Sequence, residues 1–253
     1  MNSSIADVRL KDRIVPFVWQ HLLLLASLYI MTFGVALCVR SGVGSSVIST
    51  IPFVMTLAGE SGMALAYTIG EYTYIMNFIL VGLQILVLRR RFQTVQLFQL
   101  LLGFVFGFLL DVNMAVTSPF ETDAIPGRLL LQFIGCTVLA VGICFEIKCG
   151  SLTMPGEGIT IAIAQVSGAP FGKTKIRVDI GMVVIAVALG YAFFGAWLGQ
   201  VVGVGTLFAM VYVGAVVRFL EPYMGWFSKI VLYRPGIRRY VYGLARFIHN
   251  RMN

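Results

Sequence analysis

Charge is what this chain has least of. Asp, Glu, Lys and Arg make up 12% of its 253 residues, where an ordinary soluble domain carries about a quarter. With 58% hydrophobic residues beside that deficit, a water-soluble fold is all but excluded. The alternation of apolar and polar residues that marks the strands of a membrane barrel is also missing. Histidine is reduced to His21 and His249, and Cys38, Cys136, Cys144 and Cys149 form no C-x-x-C pair. Without a recurrent ligand spacing a zinc or redox centre has no footing, and the cysteines read as small packing residues. No Ser-His-Asp arrangement, HExxH or carboxylate pair of an intramembrane enzyme is visible, so catalytic residues, a metal and a cofactor are not expected. Gly42-Val43-Gly44 lacks the βαβ context and the following lysine of a phosphate-binding loop.

What the chain does have is long apolar runs. Six of them, roughly 20–39, 67–88, 95–116, 129–147, 178–195 and 203–220, reach the ~17 to 25 residues that a helix needs to cross the hydrocarbon core. Val47 to Ala58 and Ile159 to Val166 are too short to cross, and each begins beside glycine or proline. They read as half-helices or re-entrant segments, 47–58 and 157–166. Arg9, Lys11 and Arg13 resemble the charged start of a signal peptide, but the run after them is too long and has no cleavage site, so a retained helix is expected.

The net charge of +8 sits beside apolar runs: at the N-terminus, in Arg89-Arg90-Arg91, in Lys173 to Arg177 and in the tail. That placement fits juxtamembrane anchoring in a lipid bilayer and not a basic groove for nucleic acid. With six crossings, all of these clusters fall on one side, the cytoplasm, together with both termini. The acidic loop of Glu121 and Asp123 falls outside. A seventh crossing would set the basic loops against one another.

The order of features repeats. Phe33 to Gly42 lines up with Val141 to Gly150, which pairs Gly34 with Gly142; Gly70 pairs with Gly172, Asn77 with Asp179, Gly107 with Gly214 and Asp111 with Arg218. Each half reads span, glycine break, half-helix, span, span. An odd number of crossings per unit turns the second copy upside down. The expected fold is therefore an all-α polytopic membrane protein of six transmembrane helices in two inverted three-helix repeats. Its segments are 1–19, repeats 20–120 and 121–222, and a basic amphipathic tail, 223–253.

Charges inside an apolar span cost a few kcal/mol on insertion scales, so those that persist are paired, snorkelling or functional. Arg40, Glu71, Asp111, Glu146, Lys148, Glu157, Asp179 and Arg218 have to be weighed. Arg40, Lys148 and Arg218 lie near helix ends, where snorkelling suffices. Glu157, in Pro155-Gly156-Glu157-Gly158, either caps its half-helix or binds a cation or proton. Asp179 either forms an internal ion pair with a nearby lysine or arginine or couples transport. Gly103 and Gly107 form a G-x-x-x-G step for close helix packing.

Two readings follow. In the first the chain is a secondary transporter with its site between the repeats, lined by Gly42, Gly44, Ser45, Ser46, Asn77, Asp111, Pro155, Gly156, Glu157, Gly158, Lys175 and Asp179. Half-helix N–H groups and nearby cations favour a small organic anion over a cation as its solute. In the second it is a non-transporting sensor or partner protein acting through its basic cytoplasmic surfaces. Assembly into a homo-oligomer is left open.

Gly42 to Pro52, Met154 to Gly158 and the run Phe171-Gly172-Lys173-Thr174-Lys175-Ile176-Arg177-Val178-Asp179 resemble the YczE/YyaS/YitT family of bacterial integral membrane proteins over residues 20–222. The resemblance implies a bacterial cytoplasmic membrane location and supplies no substrate or functional residue.

Overall fold

The computed structural model describes residues 2–150 and 153–231, with side chains from Val18 onward. The chain is helical throughout, with no strand among the described residues. Helix α1 is Asn2–Arg40. A 3-10 turn, Val47–Ser49, leads into α2, Thr50–Glu60. After α3, Ile69–Leu88, and α4, Gln99–Val116, come α5, Ile125–Cys149, the short α6, Pro155–Ser167, and then α7, Phe171–Phe194, α8, Val204–Leu220, and α9, Gly225–Val231. Six segments are long and apolar enough to span: Val18–Arg40, Ile69–Arg91, Thr94–Val116, Ile125–Cys149, Phe171–Phe194 and Val204–Val231. At ~1.5 Å per residue, α2 and α6 reach about 20 Å at most, well short of the ~30 Å core.

Two boundaries differ from the sequence reading. The fifth span begins at Phe171, directly after Pro170, and takes Lys173, Lys175 and Arg177 into its first two turns. Those cations lower the local hydropathy but are good helix formers, so they hide the start of the helix without breaking it. The last span continues through a 3-10 turn, Glu221–Met224, into α9. There Phe227 is buried with Leu24 and Cys149, and the Trp19 indole N–H donates to the Ile230 carbonyl at 2.9 Å. Residues 223–231, assigned to the tail from sequence, thus close the bundle; the rest of the tail lies outside the described residues.

Small residues set the central crossing. Helix α1 runs antiparallel along α5, and a side chain on Gly34 would strike the backbone of Leu139, while one on Gly142 would strike that of Met31. Such glycines let two backbones approach in a solvent where lipid is as apolar as leucine and only close packing favours association. Helix α4 packs on α1 as α8 packs on α5, and α2 and α6 each lie between α3 and α7. One pairing is not matched: α3 and α4 are tightly joined, whereas α7 and α8 scarcely touch. Gly70 and Gly107 meet across the first seam, while nothing lies within 4 Å of a side chain built on Gly172 or Gly214.

Charge separates between the ends. Val87, Ile163 and Val178 share one apolar cluster, so Arg89 to Arg91 and the cations opening α7 share one end. Lys148, bridged to Glu221 at 3.5 Å, marks the same end through α5 and α8. The other end holds Asp111, Asp123 and Glu121, which pairs with Arg40.

Candidate functional site

The two breaks place their polar groups differently. At the first, Gly42 and Gly44 turn the chain with φ of +64° and +127°, values that disfavour any residue with a Cβ. The loop then docks on the start of α8. The Ser45 N–H donates to the Val201 carbonyl at 3.0 Å and the Gly205 N–H to the Val43 carbonyl at 2.8 Å. The Ser45 hydroxyl also reaches Val201, at 3.1 Å, and the Ser46 and Ser49 hydroxyls pair at 2.7 Å. Hydroxyls therefore answer carbonyls that the break exposes, Ser45 that of Val201 and Ser49 that of Ser46.

At the second break, Pro155 opens α6 with Met154 before it as N-cap. The Glu157 and Gly158 N–H groups both turn back on the Met154 carbonyl. The Met154 N–H donates to Glu146 Oε1 at 3.1 Å, and proline has no N–H to offer. The N–H groups of Met154, Glu157 and Gly158 are thereby spent inside the protein.

What is left over here is acceptors. Glu146 on α5, Gln84 on α3 and Gln99 on α4 are buried, with 4%, 0% and 3% of their surfaces exposed. Glu146 Oε2, Gln84 Oε1 and Gln99 Oε1 have no hydrogen-bond partner. Gln84 Nε2 donates to the Pro155 carbonyl at 3.2 Å, which orients that amide, since only its nitrogen can give to a carbonyl. Both glutamine oxygens stand 2.7 Å from where a side chain on Gly158 would begin. Glycine at 158 is what admits them.

Charge converges on the same place. Glu157 is partly buried and close enough to interact electrostatically with Glu146, Lys175 and Asp179. Lys175 Nζ donates to Asp179 Oδ1 at 2.6 Å across one helical turn. The starts of the two short helices also meet, Ile48 packing against Gly156.

The sequence-predicted residues therefore divide. Pro155, Gly156, Glu157, Gly158, Lys175 and Asp179 come together. Gly42, Gly44, Ser45 and Ser46 form the first break, turned toward α8. Asn77 is fully buried against Gly103 with neither amide atom paired. Asp111 lies at the opposite end, where its Oδ1 accepts from the Gly70 N–H at 2.8 Å and its Oδ2 from the Thr68 hydroxyl at 2.6 Å. It fastens the start of α3 to α4. Sequence reasoning missed Gln84 and Gln99; the available signal was an amide inside each of two apolar runs.

Residues 18–222 match the family of unknown function DUF6198. The chain belongs to that family. The matched stretch takes in every membrane helix up to the α8 turn, both breaks and the whole polar cluster, so the site lies within the family's common region. No curated protein and no solved structure matches the sequence.

Proposed function

We propose that this DUF6198 protein is a secondary transporter of a small solute, multi-pass in a bacterial cytoplasmic membrane, with both termini in the cytoplasm. The observation that carries the reading is the meeting of two interrupted helices, Ile48 on Gly156, between full-length spans. Backbone breaks at apolar depth persist only where protein or a water-filled cavity shields them, and paired breaks are the recurring binding architecture of such carriers. The halves are inverted copies in this reading. If Gly34 pairs with Gly142, Met31 pairs with Leu139, and the α1–α5 crossing makes the same contact twice, Gly34 on Leu139 and Gly142 on Met31. The basic end faces the cytoplasm by the excess of Lys and Arg there. No step of the reading is catalytic, and its likeness to the YczE/YyaS/YitT proteins is one of sequence pattern.

Two measurements test it. Single cysteines replacing Arg89 and Lys173 should react with a membrane-impermeant maleimide from the same, cytoplasmic side, against a low background because Cys38, Cys136, Cys144 and Cys149 are buried. Reaction from opposite sides removes the inversion. In proteoliposomes screened with a solute library, Glu157→Gln and Asp179→Asn should each lower uptake by at least about tenfold, the cost of losing one charged contact of ~1.4 kcal/mol or more. Unchanged uptake in both removes the α6 cluster from the path.

A further inference from the structure

We propose that the break before α6 is an alkali-cation site whose protein oxygens are Glu146 Oε2, Gln84 Oε1 and Gln99 Oε1, with the Glu157 carboxylate beside them. The proposal deepens the transport reading, on which the ion's role as coupling ion rests; the binding itself does not depend on it.

Three observations converge. The first is the set of orphaned acceptors, each nine-tenths buried or more and each on a different spanning helix. An unpaired acceptor costs roughly 1 to 3 kcal/mol, and α3, α4 and α5 each spend that cost at the same short turn. The second is the charge balance. Glu146, Glu157 and Asp179 are three carboxylates, and Lys175, already bonded to Asp179, is the cation bonded within the group among the described residues. A cation among them is what would let these carboxyl groups hold their charge at membrane depth. The third is that three donors of the turn are engaged, the N–H groups of Met154, Glu157 and Gly158.

The chemistry narrows the cation. A proton on Glu146 would satisfy one further acceptor at most and leave the other amide oxygen bare, whereas one metal ion can take both glutamine oxygens, which converge at Gly158. The oxygens are sealed from solvent, so they suit a small desolvated ion better than a bulky organic ammonium. No group of three or more His, Cys, Asp and Glu able to hold a metal occurs among the described residues, which argues against transition metals. Calcium prefers six to eight oxygens with several carboxylates. Two neutral amides with one or two carboxylates suit a singly charged, oxygen-seeking ion, and we take sodium as the probe.

The test uses the purified full chain in detergent, without solute. Its Tm is followed in rising NaCl, with choline chloride replacing it at constant ionic strength and pH, and KCl and LiCl run in parallel. The expected result is a Tm rise that saturates with sodium and is absent with choline, as binding to the folded state alone requires. Glu146→Gln and Gln99→Met should each weaken that response by at least about tenfold. If Glu146→Gln does not fold, Gln99→Met and the ion series on the unaltered chain still decide. Equal Tm in sodium and choline overturns the site, as does a rise that follows acidification at fixed sodium, which assigns the cluster to protons. Sodium binding without uptake of any solute defeats the transport reading and leaves the ion site standing. Sodium-independent uptake without an ion-specific Tm shift does the reverse.

Discussion

At the break between α1 and α2, serine hydroxyls and peptide groups pair with each other and with Val201, so the kink is closed upon itself. At the break before α6, the Met154, Glu157 and Gly158 N–H groups have partners while Glu146, Gln84 and Gln99 keep bare oxygens in the interior. The same topological device is structural in one half and unsaturated in the other. The difference lies in side-chain chemistry. A hydroxyl oxygen both gives and accepts and can satisfy a neighbour of either kind, but a carboxylate or amide oxygen only accepts. The seams follow a similar division, with α3 and α4 locked by Gly70 and Gly107 while Gly172 and Gly214 stand open between α7 and α8. The tight seam therefore lies in the first half and the open one in the second, while the bare oxygens come from both, Gln84 and Gln99 from α3 and α4 and Glu146 from α5.

The sharpest way to break this comparison is at the glycines. Gly107→Val drives a side chain into the Gly70 carbonyl, where backbone cannot yield, and should cost more than about 3 kcal/mol. The fraction of monodisperse protein surviving heating and size-exclusion chromatography should collapse. Gly214→Val enters open space and should move stability by less than about 1 kcal/mol. Equal damage at both sites would mean that α7 and α8 close on each other in the membrane.

A smaller contrast concerns Asp111 and Arg218, counterparts in the two halves. Asp111→Ala removes two hydrogen bonds to a carboxylate and should lower the unfolding free energy by about 2 kcal/mol. Arg218 is exposed, and Arg218→Ala should stay within about 0.5 kcal/mol. Denaturation of the purified protein, followed by tryptophan fluorescence, measures both.

The subtlest contrast is one of sign. Ser45→Ala at the satisfied break leaves a worse packed, less bonded loop and should lose about 1 kcal/mol. Gln99→Met at the unsatisfied break removes an orphaned oxygen and should gain about 1 kcal/mol in choline buffer, where no small cation competes. Loss in both would show that Gln99 has a partner in the membrane-embedded protein, and the two breaks would cease to differ.

Much of the architecture was legible because it is written locally. Hydropathy and run length locate a span whatever surrounds it, and Gly42 and Pro155 announce the ends of continuous helix. The Lys175–Asp179 pair was legible too, since residues four apart on a helix must be neighbours. Asp111 shows the limit. A carboxylate in an apolar run was rightly singled out, but its partners, Thr68 and Gly70, belong to a different helix, so a fastening of α3 resembled a ligand site. The first break is similar: Gly42 to Ser46 have the composition of a binding loop, and the partners of Val43 and Ser45, Gly205 and Val201, are more than 150 residues away.

By itself the sequence determined that this chain lives in lipid, how many helices can cross, where two of them stop short and which ends are basic. Those properties depend on length, charge and spacing along one segment at a time. Only the tertiary structure decided that Gln84 and Gln99, from two separate spans, leave their oxygens against Gly158 while Glu146 keeps one bare on a third, and that the Ser45 and Ser46 hydroxyls find partners. Whether a buried polar atom is satisfied depends on what stands within hydrogen-bond reach in space, and order along the chain carries no record of that.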